Sequence, residues 1–192
     1  SYVRGESIVY REIVQRIITF QSKGLLSFVS FIESIFFPIP TDVLLIPMCY
    51  SKPLEWRVLA FITTTTSVAG GAVGFFLGSF LFTEVYPIIE DLNYVSEFND
   101  VKNLFEIHGA LIILIASFTP LPYKLFTITA GFLSIDFIIF IIFSFIGRAL
   151  RFYLVAYITK EHGIVILEYI NRYFLYIALV IISVYIIFNL YN

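Results

Sequence analysis

The chain of 192 residues holds one cysteine, two histidines, one tryptophan and few charges. A single Cys49 excludes an internal disulfide and any metal cage built on cysteine. It lies in apolar sequence, where a small buried thiol is expected. The histidines, His108 and His162, both stand at segment ends. His-Glu-X-X-His and Gly-X-Ser-X-Gly patterns are missing, so no metallopeptidase or serine-hydrolase site is written here. No metal, cofactor or enzyme activity is expected. The net charge of −2 leaves no nucleic-acid footprint. No basic stretch followed by an apolar core opens the chain at Ser1, so no signal peptide is expected.

Charged residues make up 14% of the chain, hydrophobic residues 59%, and mean hydropathy is +0.93. A soluble domain carries about 25% charge. The expectation is an all-α polytopic integral membrane protein of one domain. Its apolar stretches are interrupted twice in the same way. The first interruption is Glu33-Ser34-Ile35-Phe36-Phe37-Pro38-Ile39-Pro40-Thr41-Asp42, and the second is Ser117-Phe118-Thr119-Pro120-Leu121-Pro122-Tyr123-Lys124. Each is a Pro-X-Pro break, and each puts an ionisable residue (Asp42, Lys124) two positions after its second proline. Proline lacks an N–H, clashes with the preceding turn and pushes its predecessor out of the helical region. Irregular backbone at membrane depth is tolerated where it is buried in protein or lines a wet cavity. Two readings follow: a pair of kinked membrane helices, or two re-entrant hairpins whose tips form a midplane site.

Residues 1–24 pair Arg4, Arg11, Arg16 and Lys23 with an apolar face, which predicts an amphipathic helix on the membrane surface. The first hairpin covers 25–50. Its 13-residue limb from Leu25 to Phe37 reaches ~20 Å, short of a ~30 Å core. Thr41 is expected to cap the returning limb and Pro47 to bend it. Lys52, Glu55, Trp56 and Arg57 mark an interface, with Trp56 at headgroup level. The uncharged stretch 58–82 is long enough to span. Within it Gly70, Gly74 and Gly78 repeat every four residues and predict a helix-packing groove. The run Thr63 to Ser67 either bonds back to its own helix or lines a polar pocket. A polar helical connector outside the membrane is expected at 83–108, the second hairpin at 109–135, a spanning helix at 137–158, and a last one at 172–192.

Charge bias discriminates between the two readings. With both breaks re-entrant, Arg4, Arg11, Arg16, Lys23, Lys52, Arg57, Lys160 and Arg172 share one side, and Lys102 stands on the other. Basic residues concentrate in cytoplasmic loops, which favours two hairpins entering from opposite sides, an inverted repeat, with the N-terminus cytoplasmic. Glu33, Asp42, Lys124, Arg148 and Arg151 then lie inside the membrane. Arg148 follows 11 apolar residues after Asp136, about 17 Å in. Arg151 is on the same helix face. Charges at such depth cost ~2.5–3.5 kcal/mol each. They are either structural ion pairs or a ligand site. Two acids and three bases leave one positive charge, which an anionic ligand would balance. Glu33 or Asp42 would serve as a proton-exchanging or gating group.

These motifs resemble the DedA family, whose shared core is called the VTT or SNARE-associated domain. Glu33, Pro38, Pro40 and Asp42 match its first hairpin, Phe118-Thr119-Pro120 with Ala130-Gly131 its second, and Gly147-Arg148 with Arg151 its basic helix, over roughly 25–165. Phe37-Pro38-Ile39-Pro40-Thr41-Asp42 is most similar to the YqaA-like branch. Better-known members carry arginine where Ser117 and Tyr123 stand. The resemblance implies movement of lipids across bilayers: bacterial members translocate undecaprenyl phosphate, eukaryotic relatives scramble phospholipids, and some are linked to proton-motive force. The expected function is thus a flippase or scramblase in the bacterial inner (plasma) membrane. Arg148, Arg151 and Lys124 would hold the lipid phosphate, and Glu33 and Asp42 would gate access or couple protons. A proton-coupled exporter of small solutes, a membrane-embedded enzyme and a purely structural protein are the alternatives, in that order.

Overall fold

A computed structural model describes residues 23–163 together with Tyr173, Tyr176, Leu179, Val180, Ser183 and Val184. The amphipathic helix expected over 1–24 therefore lies almost wholly outside the described residues, as does most of the helix expected over 172–192. The described residues are helical, with no strand among them. One order of elements occurs twice. Helix α1 (Lys23–Glu33), a break and α2 (Asp42–Ser51) lead through a 3₁₀ turn (Pro53–Glu55) into the long α3 (Trp56–Asp91). Helix α4 (Val95–Phe118), a break and α5 (Tyr123–Phe132) lead into the long α6 (Phe137–His162).

Each break ends its helix for the reason the prolines give. At Thr119, the residue before Pro120, the backbone turns extended, with φ −81° and ψ 165°. In the first break the backbone N–H groups of Ile35, Phe36 and Phe37 all reach back to the Ile32 carbonyl, closing α1 before Pro38. Thr41 does not cap α2 through its side chain, contrary to the sequence expectation. Its backbone is itself helical, at φ −61° and ψ −26°, whereas a capping side chain needs extended backbone. Its hydroxyl turns to Glu33 instead, at 3.4 Å from Oε2. At the start of α6 a true cap forms: the Asp136 carboxylate accepts from the Ile139 N–H at 2.9 Å.

Three helices are long and apolar enough to cross a membrane: α3 with the 3₁₀ turn before it, α4 and α6. Helix α3 has 36 residues, about 54 Å, so it extends well past a ~30 Å core. The polar stretch 83–108 forms no separate unit. It supplies the end of α3 and the beginning of α4, joined across residues 92–94, where Asn93 takes a left-handed conformation (φ 59°). Asparagine tolerates that conformation. The remaining polar residues there are adequate helix formers, so nothing else interrupts the coil.

Helix α3 is the spine, packed against α1, α5 and α6, while α4 lies along α6. Its glycines allow backbone to approach backbone. A methyl group at Gly70 would overlap the Phe31 carbonyl of α1, and one at Gly78 the Ile128 carbonyl of α5. Gly74 faces Thr127. The approach to α5 is mutual, because Gly131 sits over the Phe75 carbonyl of α3. The threonine run bonds back to its own helix: Thr63, Thr64, Thr65 and Thr66 each donate to a carbonyl one turn earlier. Two cross-helix hydrogen bonds join α1 to this stretch, Ser30 Oγ to the Thr63 carbonyl at 2.9 Å and Ser34 Oγ to Ser67 Oγ at 2.7 Å. Two apolar clusters bracket the breaks. Leu26, Leu45, Met48, Cys49, Leu59 and Phe152 form one, and Phe75, Ile113, Leu133 and Phe140 belong to the other.

Candidate functional site

Both breaks face the same stretch of α6. Between them lies a cavity of about 190 Å³, lined by Pro38, Pro40, Pro120 and Pro122 and by all five ionisable residues singled out in the sequence. Glu33 reaches it from the last residue of α1 and Asp42 from the first residue of α2. Lys124 enters from the first turn of α5. Arg148 and Arg151 come from the middle of α6, three residues apart and thus on one face. The Pro-X-Pro breaks make this convergence possible, because a continuous helix would carry Glu33 and Asp42 more than two turns apart.

The pairing is uneven. Arg151 Nη2 donates to Asp42 Oδ2 at 2.5 Å. Arg148 Nη2 lies 3.6 Å from Glu33 Oε2, close enough for attraction but too long for a hydrogen bond. Its Nε and Nη2 are buried and have no hydrogen-bond partner. Arg148 is only 4% exposed. Its guanidinium lies 4.0 Å from the centroid of the Tyr123 ring and 5.3 Å from that of Phe152. Stacking between aromatic rings leaves the edge of the guanidinium, with its N–H groups, free to bind. On the acidic side, Asp42 Oδ1 is also buried without a partner.

Lys124 is not in an ion pair among the described residues. Its Nζ donates to the Phe37 carbonyl at 2.8 Å. A cation in the first turn of a helix opposes the macrodipole, and this bond offsets that. The acceptor is available because Phe37 lies in the break, past the end of α1, where no helical N–H reaches its carbonyl. One break is thereby tied to the other, and two of the three ammonium protons stay available.

With all five groups ionised the site carries one net positive charge, since two carboxylates face three cations. Thr41, Thr119, Leu121 and Phe152 complete the lining. Tyr123 and Phe152 were not singled out as site residues from the sequence. Phe152 had a signal, being four residues after Arg148 on the same face. Tyr123 stands at a position where the resemblance pointed to an arginine, and the structure gives it a supporting place beneath Arg148. Ser117, the other such position, is buried without a hydrogen bond for its hydroxyl and does not line the cavity. Gly70, Gly74 and Gly78 lie in the α3 interfaces, away from the cavity. His108 is exposed and outside it. Among the described residues no cluster of three or more His, Cys, Asp or Glu could hold a metal ion.

The chain is 44% identical over 138 residues to an uncharacterized protein of Haemophilus influenzae, covering 72% of each chain. It is 36% identical over 138 residues to a second uncharacterized protein, from Histophilus somni, again covering 72% of each. A protein of Methanocaldococcus jannaschii is 26% identical over 144 residues, which is 75% of this chain and 81% of that one. No solved structure matches. The family profile described as the VTT domain matches residues 37–161, from the first break through α6. With three helices fit to cross a bilayer and this match over most of its length, the chain is an integral membrane protein that belongs to the VTT-domain, or DedA, family.

Proposed function

We propose that the protein moves an anionic, phosphate-bearing lipid such as a polyprenyl phosphate or a phospholipid across the bilayer, as a flippase or scramblase. The observation that carries this reading is the set of unpartnered N–H donors on buried Arg148, beside a cavity of net positive charge. A buried charge without its full set of partners is costly, and an incoming phosphate oxygen would satisfy both donors at once. Guanidinium geometry suits phosphate. In this reading each helix–break–helix unit is a re-entrant hairpin, and the two units form an inverted repeat around the site.

The unequal pairs set an order of events. Arg148, held only loosely by Glu33, takes the phosphate first. Arg151 is bound to Asp42 and joins when Asp42 takes up a proton at Oδ1 and releases it. Lys124 adds a third contact with its remaining ammonium protons. Return of the proton restores the Arg151–Asp42 pair and expels the anion. Glu33 and Asp42 thus gate the site, and proton movement is coupled to lipid movement. The lipid tails stay outside the small cavity, in the bilayer. The basic residues Lys23, Lys52, Arg57 and Lys160 gather at one end of the helices, which supports a cytoplasmic N-terminus in the inner membrane.

The test is reconstitution in liposomes with labelled polyprenyl phosphate and labelled phospholipid, with and without a pH gradient. The expected result is transbilayer movement of the polyprenyl phosphate that Glu33→Gln and Arg148→Ala both lose. Equal movement of phospholipid would make the protein a scramblase. If folded protein moves neither lipid, the reading fails, and uptake of small solutes would then favour a proton-coupled exporter. Phosphate release from the lipid would favour an enzyme.

A further inference from the structure

A second concentration of cations lies away from the cavity, at the end of the molecule where α1 begins, α2 ends and α6 ends. Trp56, the chain's single tryptophan, stands at its centre. Arg57 lies 5.2 Å from the Trp56 ring centroid and Lys160 Nζ 5.9 Å from it. Tyr157 packs edge-on at 5.6 Å and carries Lys160 at 6.0 Å from its own ring. Of the carboxylates nearby, Glu55 is taken by Lys23 at 2.7 Å and Glu161 by Lys160 at 2.9 Å. Among the described residues Arg57 has no ion-pair partner, and Lys52 beside it is exposed. Next to them, on the 3₁₀ turn, Leu54 is 96% exposed, an apolar side chain with almost no contact to its own chain. None of these residues lines the central cavity.

We infer that Trp56, Arg57 and Lys160, with Leu54 beside them, bind the phosphate headgroup of an anionic membrane lipid at a site separate from the central cavity. The place fits, because the patch sits at the very start of the apolar segment running from Pro53, at the level where a spanning helix leaves the bilayer. Indole and phenol rings favour that level, and cations there attract anionic headgroups. The exposed leucine enters the acyl boundary while the cations meet the phosphate above it. Residues 1–22 are a poor occupant by charge, since Arg4, Arg11 and Arg16 outnumber Glu6 and Glu12 and would be repelled by Arg57 and Lys160. The lipid here is bound, not transported, so the inference stands apart from the central site.

Trp56 itself is the probe. The full-length protein in uncharged detergent is titrated with phosphatidylglycerol, phosphatidylcholine or inorganic phosphate, and tryptophan emission and thermal unfolding are followed. Phosphatidylglycerol is expected to shift the emission saturably and raise Tm, while the other two leave both unchanged. Arg57→Gln with Lys160→Gln should weaken binding about 30-fold, near fivefold for each charge at a membrane surface. Both side chains are exposed, so the unliganded variant should unfold at the wild-type temperature. Trp56 does not line the central cavity, so its emission reads this site and not the central one. Equal effects of phosphatidylcholine, an equal effect of inorganic phosphate, or unchanged affinity in the double variant would overturn the inference. So would the lack of any response to phosphatidylglycerol in either emission or Tm. An emission shift that appears on concentrating the lipid-free protein would assign the face to a second copy of the chain instead.

Discussion

Replacing Arg148 with methionine separates a structural ion pair from a ligand site. The side chain is buried, its Nε and Nη2 have no hydrogen-bond partner, and its carboxylate neighbour is 3.6 Å away. The substitution loses stacking on Tyr123, worth about 2 kcal/mol when desolvated, and a loose attraction to Glu33. It removes two buried orphan donors, each costing about 1–3 kcal/mol, and the desolvation of a cation, several kcal/mol more. Methionine is flexible enough to fill the space. Glu33 keeps the Thr41 hydroxyl and faces the cavity. Stability should therefore stay within about 2 kcal/mol of wild type, or about 4–8 °C in Tm for a chain of this size. Lipid movement should fall by about 100-fold, the usual loss of a charge-stabilising donor. The buried Cys49 is the chain's single thiol, so a thiol-reactive fluorogenic dye reports unfolding without further labelling. A structural pair behaves otherwise: breaking one costs about 3–5 kcal/mol. A Tm drop beyond 10 °C with transport per folded molecule intact would refute the reasoning.

Gly78→Leu would force a side chain into the Ile128 carbonyl and should lower Tm strongly, at a cost of about 3 kcal/mol or more. Gly109→Ala meets only the Ile135 side chain at ordinary contact distance and should be neutral or stabilising by about 1 kcal/mol in the same dye assay. Tyr123→Phe keeps a ring under Arg148 and should retain transport, whereas Tyr123→Leu should raise the lipid KM more than it lowers kcat. Asp42→Asn cannot exchange a proton, so any transport it retains should be the same with and without a pH gradient; a wild-type gradient response would remove Asp42 from the coupling step.

The site was legible in sequence because its parts are rare in apolar surroundings. Glu33, Asp42, Lys124, Arg148 and Arg151 are conspicuous in an apolar chain, and two Pro-X-Pro breaks say where helices must stop. The glycine spacing on α3 likewise announced close packing. What the sequence could not give is the partner of each group. Lys124 bonds to a backbone carbonyl 87 residues away, and no side-chain pattern encodes that. The sequence does show that the Phe37 carbonyl loses its helical donor, but any nearby cation could supply the replacement. Where the spanning helix passes into the polar connector is not written in the sequence, for a different reason. The polar residues from Thr83 onward signal a change of solvent, and a helix can pass from one solvent to another without a break. Thr41 followed a capping rule that holds only where the capping residue's own backbone is extended, and here that backbone is helical.

The interlock between α3 and α5 has a mechanical consequence. Gly78 receives the Ile128 carbonyl and Gly131 receives the Phe75 carbonyl, so each helix carries a notch filled by the other's backbone. Like two meshed cogs, they can neither slide lengthwise nor roll without one carbonyl climbing out of its notch. Helix α5 is thus keyed to the spine. Helix α2 has no such key, and Pro47 weakens it midway by removing a backbone bond. If the cavity opens alternately to the two sides, the moving jaw is the first break with α2, and α3 with α5 is the fixed one.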